Sequence, residues 1–154
     1  MRLPPDPRLT LLAHQIADEY HLDGAVVCAI VEQESDWNPG ATRYEPAFYS
    51  RYILPLNIPA EEGRQRATSW GLMQIMGETA VENGYPGPIP ALLDPATGLK
   101  WGCIHFAKVL GRSSGDVYSA LLHWNGGANQ SYPGQVIARI DKYVTPINLE
   151  GMEA

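Results

Sequence analysis

One segment limits the architecture more than any other: Gly24 to Asp36, in which seven apolar residues from Ala25 to Val31 run into Glu32-Gln33-Glu34-Ser35. Asp23 is placed to cap a helix at its start. Asn38-Pro39-Gly40 ends it, because the residue before a proline is pushed out of the α region. At about 100° per residue, Val27, Ile30, Val31 and Glu34 share an arc of about 100°, so a carboxyl projects from the same face as three core aliphatics. Glu32 is expected on the other side, with Ala29 and Asp36. A carboxyl on the buried face of a last helical turn loses water and meets the negative end of the helix dipole. Both effects disfavour the anion and keep the group protonated near neutral pH, the state a general acid needs. The plainer alternative is a carboxyl at the rim that reaches water.

The rest of the chain reads as helices separated by glycine and proline, an all-α (mainly α) class. Leu9, Leu12, Ala13, Ile16, Ala17 and Tyr20 recur at helical spacing and predict a first helix from Pro7 to Tyr20. Residues 40–58 read as irregular and aromatic-rich, and 59–67 as a short polar helix whose Glu61, Glu62, Arg64 and Arg66 form a solvated face. Trp70 to Met76 is an apolar segment, followed by a short helix from Glu78 to Asn83 that ends at Gly84. Asp94-Pro95 starts a helix expected to stop at Gly111, Asp116 caps another that reaches Trp124, and a last one spans Gln135 to Tyr143. Residues 145–154 read as a loose tail. With 154 residues and no linker or repeat, one domain covering 1–154 is expected. Trp70 and Trp101 are expected in its core, Met76 in the core and Met73 at the surface of a cleft.

Composition removes several classes of function. A net charge of −6 with no basic cluster argues against nucleic acid and against simple electrostatic adhesion to an anionic surface. No apolar run approaches the ~20 residues of a membrane span, so no integral membrane segment is expected. The stretch from Met1 to Pro7 lacks the apolar core of a secretory signal, so a signal peptide is not expected in this chain. Cys28 and Cys103, with four scattered histidines, give no zinc spacing, so no metal and no cofactor is expected; the two thiols read as free and buried.

Four short motifs then occur in order between about residues 23 and 143. Glu34-Ser35-Asp36-Trp37-Asn38-Pro39 resembles the Glu-Ser-x-x-Asn-Pro signature of soluble lytic transglycosylases. Gly71-Leu72-Met73-Gln74-Ile75-Met76, followed by Thr79-Ala80, is similar to their second motif, and Leu93-Asp94-Pro95 with Gly102 to the third. Ala120-Leu121-Leu122-His123-Trp124-Asn125-Gly126-Gly127, then Tyr132 and Val136, resembles the fourth, usually Ala-Tyr-Asn-Ala-Gly. Arg43-Tyr44-Glu45-Pro46 resembles an insert of bacteriophage and prophage versions. The chain departs from the pattern at Trp124, which stands where a tyrosine is usual and has no phenolic hydroxyl, at Gly77 for a common proline, and at Gly98-Leu99 for Asn-Ile.

The resemblance implies a lysozyme-like domain with a substrate cleft, acting on peptidoglycan glycan strands at the bacterial cell wall, in the periplasm or delivered by a virion, and working as a monomer. It implies cleavage of the β-1,4 bond between N-acetylmuramic acid and N-acetylglucosamine by Glu34 alone, giving a 1,6-anhydro product. Ser35, Met73, Gln74, Trp124, Asn125 and Tyr132 are the implied substrate-binding residues. Two rivals stand beside it. A goose-type lysozyme would hydrolyse the bond with a second carboxylate, for which Glu45 is the better candidate because Asp36 should face away from Glu34. A non-catalytic wall-binding virion part would keep the fold but is disfavoured by the presence of Glu34, Gln74 and Asn125 together.

Overall fold

The structure, a computed structural model, describes residues 4–144. In chain order its elements are α1 (Pro7–Glu19), α2 (Gly24–Ser35), β1 (Thr42–Tyr44), α3 (Pro46–Phe48), α4 (Ala60–Arg66), β2 (Thr68–Trp70), β3 (Ile75–Met76), α5 (Gly77–Glu82), α6 (Pro95–Arg112), α7 (Val117–Trp124) and α8 (Tyr132–Ile140). A π-helical turn at Tyr49–Ile53 and 3-10 turns at Leu54–Leu56, Ile89–Leu93 and Asp141–Tyr143 complete it. The expected tail from Thr145 to Ala154 lies outside the described residues.

Four helices begin on an aspartate whose carboxylate accepts from a first-turn amide: Asp6 from Arg8, Asp23 from Ala25, Asp94 from Thr97 and Asp116 from Ser119, at 2.9 to 3.3 Å. Each satisfies an amide that the helix leaves without a partner. The ends follow equally local chemistry. Gly84, at φ +97°, lets the Tyr85 amide reach back to the Ala80 carbonyl at 2.9 Å and closes α5. Beyond α2, Asp36 and Trp37 both take left-handed φ values of 51° and 63°. This sharp exit tucks Trp37 into the core, where its indole N–H donates to the Tyr143 hydroxyl at 2.9 Å.

α2 is the central element. Ala25 through Glu32 are all buried, with α1 on one side and α8 with the last 3-10 turn on another. Glu32 lies on the side away from Glu34, as expected, but that side is covered as well: Ala29 has no exposed surface and Glu32 is 5% exposed. Glu32 is compatible with that burial because it is paired. Arg139 Nη1 donates to it at 2.7 Å, Lys142 Nζ at 2.9 Å and the Tyr143 hydroxyl at 2.6 Å. A buried carboxylate needs such partners, since its lost hydration is otherwise uncompensated.

The region from 40 to 58 is more ordered than its sequence suggests. Thr42–Tyr44 pairs antiparallel with Thr68–Trp70, which pairs with Ile75–Met76, so the expected irregular insert and apolar segment form one small sheet in the order β1-β2-β3. Beneath it Trp70, Ile75, Ala80, Ile89 and Leu92 form a second apolar cluster, against which Trp101 packs. Two further boundaries move. α6 runs through Gly111 to Arg112, and α8 starts at Tyr132 rather than Gln135. The solvated face expected on α4 is also incomplete, because Arg66 is held between Glu62 and Glu78, each at 3.1 Å. Cys28 and Cys103 are free and buried, and burial pushes both thiols up to about 12.

Candidate active site

Glu34 lies one residue from the end of α2, where the helix leaves the core and meets open space. A cleft of about 420 Å³ begins there, bordered by Glu34, Gln74, Met76, His105, Trp124 and Asn125, with Arg43 and Glu45 at one side. Helices α2, α6 and α7 and the small sheet all contribute to it. The carboxyl is half-buried. Its Oε2 accepts two hydrogen bonds, from the Tyr132 hydroxyl at 2.5 Å and from the Trp124 indole N–H at 3.3 Å. Burial pushes the Glu34 carboxyl above the ordinary value, and the two donors and the Arg43 guanidinium pull against it. Burial is the largest of these, so the net direction is upward, toward the protonated acid.

Tyr132, the first residue of α8, is 4% exposed and packs against the end of α2. Burial and the neighbouring Glu34 charge both raise its own pKa, so it stays a neutral donor. The departure at 124 proves chemically mild. An indole has no hydroxyl, yet its ring N–H still reaches the Glu34 carboxyl. The ring is fixed by Phe106 at 5.6 Å, edge on, and by His105 at 5.6 Å.

The second motif divides between cleft and core. Gln74 takes φ +52°, and its amide NH2 donates to the Ala41 and Gly71 carbonyls, both at 3.0 Å. Those two bonds use both hydrogens, so the amide oxygen is the atom that remains to face the cleft. Met73 is corrected as a cleft residue: its side chain has no exposed surface and sits over Gly102, where an added Cβ would lie 2.5 Å from its Sδ. Met76, expected in the core, borders the cleft instead. The tight turn from Gly71 to Gln74 makes this exchange by turning Met73 toward α6. Ser35 does not border the cleft. Its hydroxyl is 2.8 Å from the Leu72 carbonyl and 3.1 Å from that of Val31, so it ties the end of α2, which carries Glu34, to the turn from Gly71 to Gln74.

Asn125, at the end of α7, borders the cleft as expected, and so does Glu45. The Glu45 carboxylate is bound to Arg43 Nε at 3.0 Å. The sequence reading missed Arg43, Phe48, Ser69 and His105 as cleft residues. Arg43 and Ser69 face each other across the β1–β2 ladder, a pairing that no local pattern announced. Among the described residues no group of three or more His, Cys, Asp or Glu is placed to hold a metal ion, and no helix is long and apolar enough to cross a membrane.

The model of the family described as "Transglycosylase SLT domain" matches residues 12–135, from α1 into α8. A protein of Enterobacteria phage PRD1 named "Transglycosylase" is 30% identical over 131 residues, which cover 80% of this chain and 39% of the phage protein. The chain thus spans about two fifths of that relative's length. No solved structure matches the chain. With most of its length accounted for by that family's model, and with a mainly α-helical, lysozyme-like fold around the cleft, the chain belongs to the transglycosylase SLT domain family.

Proposed function

We propose that this chain is a peptidoglycan lytic transglycosylase that cuts the β-1,4 bond between N-acetylmuramic acid and N-acetylglucosamine at the bacterial cell wall, with Glu34 as its acid and its base. One observation carries the reading: both donors to Glu34 converge on a single oxygen, Oε2. In a protonated carboxyl, the oxygen that accepts two hydrogen bonds is the carbonyl-type oxygen. The acidic proton is then left on Oε1, which accepts from no described side chain.

The reaction needs nothing more than that proton. Oε1–H passes it to the glycosidic oxygen as the bond from the muramoyl C1 breaks, and the sugar's own N-acetyl oxygen stabilises the cationic carbon. The Glu34 carboxylate, held by Tyr132 and Trp124, then takes the proton of the muramoyl 6-hydroxyl, whose oxygen closes on C1. The acid is regenerated, the products are a 1,6-anhydromuramoyl end and a free 4-hydroxyl, and no water is consumed. Gln74 and Asn125 bind the glycan in this scheme, Gln74 through the amide oxygen that its two backbone contacts leave over. Trp124 provides a flat face for a sugar beside the acid, and Tyr132 acts through Glu34 rather than on the substrate.

The second reading is a hydrolase in which Glu45 places a water, favoured by one observation: Glu45 borders the same cleft. Against it, the Glu45 carboxylate is tied to Arg43 Nε at 3.0 Å. Mass spectrometry of the muropeptides released from purified peptidoglycan separates the two. Anhydromuramoyl ends are expected, and mainly reducing muramic ends would establish hydrolysis instead.

A further inference from the structure

His105, in the middle of α6, borders the cleft beside Trp124 and Thr79. What its imidazole can do is decided by Asn83, the residue that ends α5. Asn83 Nδ2 lies 2.8 Å from the Thr79 carbonyl oxygen and 3.1 Å from His105 Nδ1. A carbonyl oxygen only accepts, so the first contact identifies the NH2 end of the amide, and the second hydrogen of that group points at the imidazole. Nδ1 must therefore accept, which leaves the ring proton on Nε2. Burial, with Arg112 and Lys108 on the same helix, lowers the pKa of the ring and favours its neutral form.

One edge of the ring is thus taken by Asn83 and one face by the Trp124 indole, at 5.6 Å between centroids and a tilt of 41°. Nε2–H has no partner among the described residues, although the residue borders the cleft. We propose that His105 is a further substrate-binding residue, its Nε2–H donating to a hydroxyl or N-acetyl carbonyl oxygen of the amino sugar seated against Trp124. This rests on the reading of the cleft as a glycan site. The chemistry of that wall fits an uncharged acceptor, because Thr79, Asn125 and the neutral imidazole offer polarity without charge. A tautomer locked by Asn83 presents a donor and no acceptor. The indole in contact with His105 is the one that donates to Glu34, so a sugar held by His105 is set in register with the acid.

Nitrogen-15 NMR of the histidine rings in the free protein reads the tautomer. The Nε2–H form is expected at His105, and the Nδ1–H form would overturn the proposal. Binding of a tetramer of N-acetylglucosamine is then measured in a Glu34→Gln background, which holds the glycan uncut. His105→Phe keeps an aromatic ring against Trp124 and removes the donor, so its Kd should weaken by about 3- to 10-fold, the worth of one neutral hydrogen bond. His105→Gln carries an amide N–H near the position of Nε2 and should restore most of the loss. Equal affinity of His105→Phe and its parent would overturn the proposal and leave the glycan reading standing. A parent that does not bind the tetramer would overturn it too. Whether the unmodified protein releases muropeptides from peptidoglycan then tells whether the glycan reading falls with it.

Discussion

The Tyr132 hydroxyl donates to Glu34 Oε2 at 2.5 Å across 98 residues of sequence, so the first residue of α8 holds the side chain at the end of α2. The same two helices meet again through Glu32, two residues before Glu34 on α2, and Arg139, near the far end of α8. Two contacts of different kind, a hydrogen bond to the cleft carboxyl and a buried ion pair, therefore fix α8 against the last turn of α2.

Tyr132→Phe separates packing from donation, since the ring stays and the hydroxyl goes. A hydrogen bond to a charged group is worth about 1.5 to 3 kcal/mol. It lowers the Glu34 pKa, so its loss moves that pKa further up. The expected result is turnover reduced by about 10- to 100-fold, with the fold kept and the melting temperature lowered by no more than about 10 °C. The alkaline limb of the pH–rate profile should shift to higher pH. An unshifted limb would mean that Tyr132 does not act through Glu34.

Glu34→Gln is expected to remove at least ~100-fold of turnover, a typical acid–base contribution, while the fold is kept. It also has a thermodynamic signature. Burial raises the folded-state pKa of Glu34 above its ordinary value of 4.5, so the folded protein binds that proton more tightly than the unfolded chain does. Wild-type stability from this group is fully present below the ordinary value and is lost as pH rises through the raised one. Glutamine has no proton to lose. Melting curves across this range should show the variant gaining on the wild type as pH rises, then a constant difference; a gain on the acid side would contradict the assignment.

Glu32→Gln tests the other contact. The Glu32 side chain is 3% exposed, whereas the side chains of its partners Arg139 and Lys142 are 32% and 53% exposed and can regain water when the charge is removed. The expected cost is about 1 to 3 kcal/mol of stability in denaturant unfolding, below that of a fully enclosed pair. The pH–rate profile of the remaining folded protein should keep its shape, because Glu32 points away from the cleft.

Glu45→Gln removes the half-buried partner of the exposed Arg43, a contact worth at most ~1 kcal/mol. Activity should fall modestly and the product ends should stay anhydro. A nearly complete loss of activity, together with reducing ends from the wild type, would instead make Glu45 the second carboxylate of a hydrolase.

Three helix starts and the unusual carboxyl were legible in the sequence because they rest on chemistry within a few residues. Asp23, Asp94 and Asp116 each cap a helix through an amide two or three positions on. Glu34 was marked by its place beside Val27, Ile30 and Val31, and its motif lies within six residues. Only tertiary structure decided what covers the far side of α2. The wheel that sent Glu32 to the other side records spacing alone, and the cations that make its burial there tolerable arrive from 107 and 110 residues away. The same holds for the two methionines, exchanged by a turn whose Met73 fits only because Gly102 on α6 leaves room. It holds also for the locked histidine, whose proton is placed by an asparagine 22 residues before it. Periodicity states which faces a segment can bury, but the identity of the neighbour that buries them, and hence the protonation state of what lies there, is set by the assembled fold.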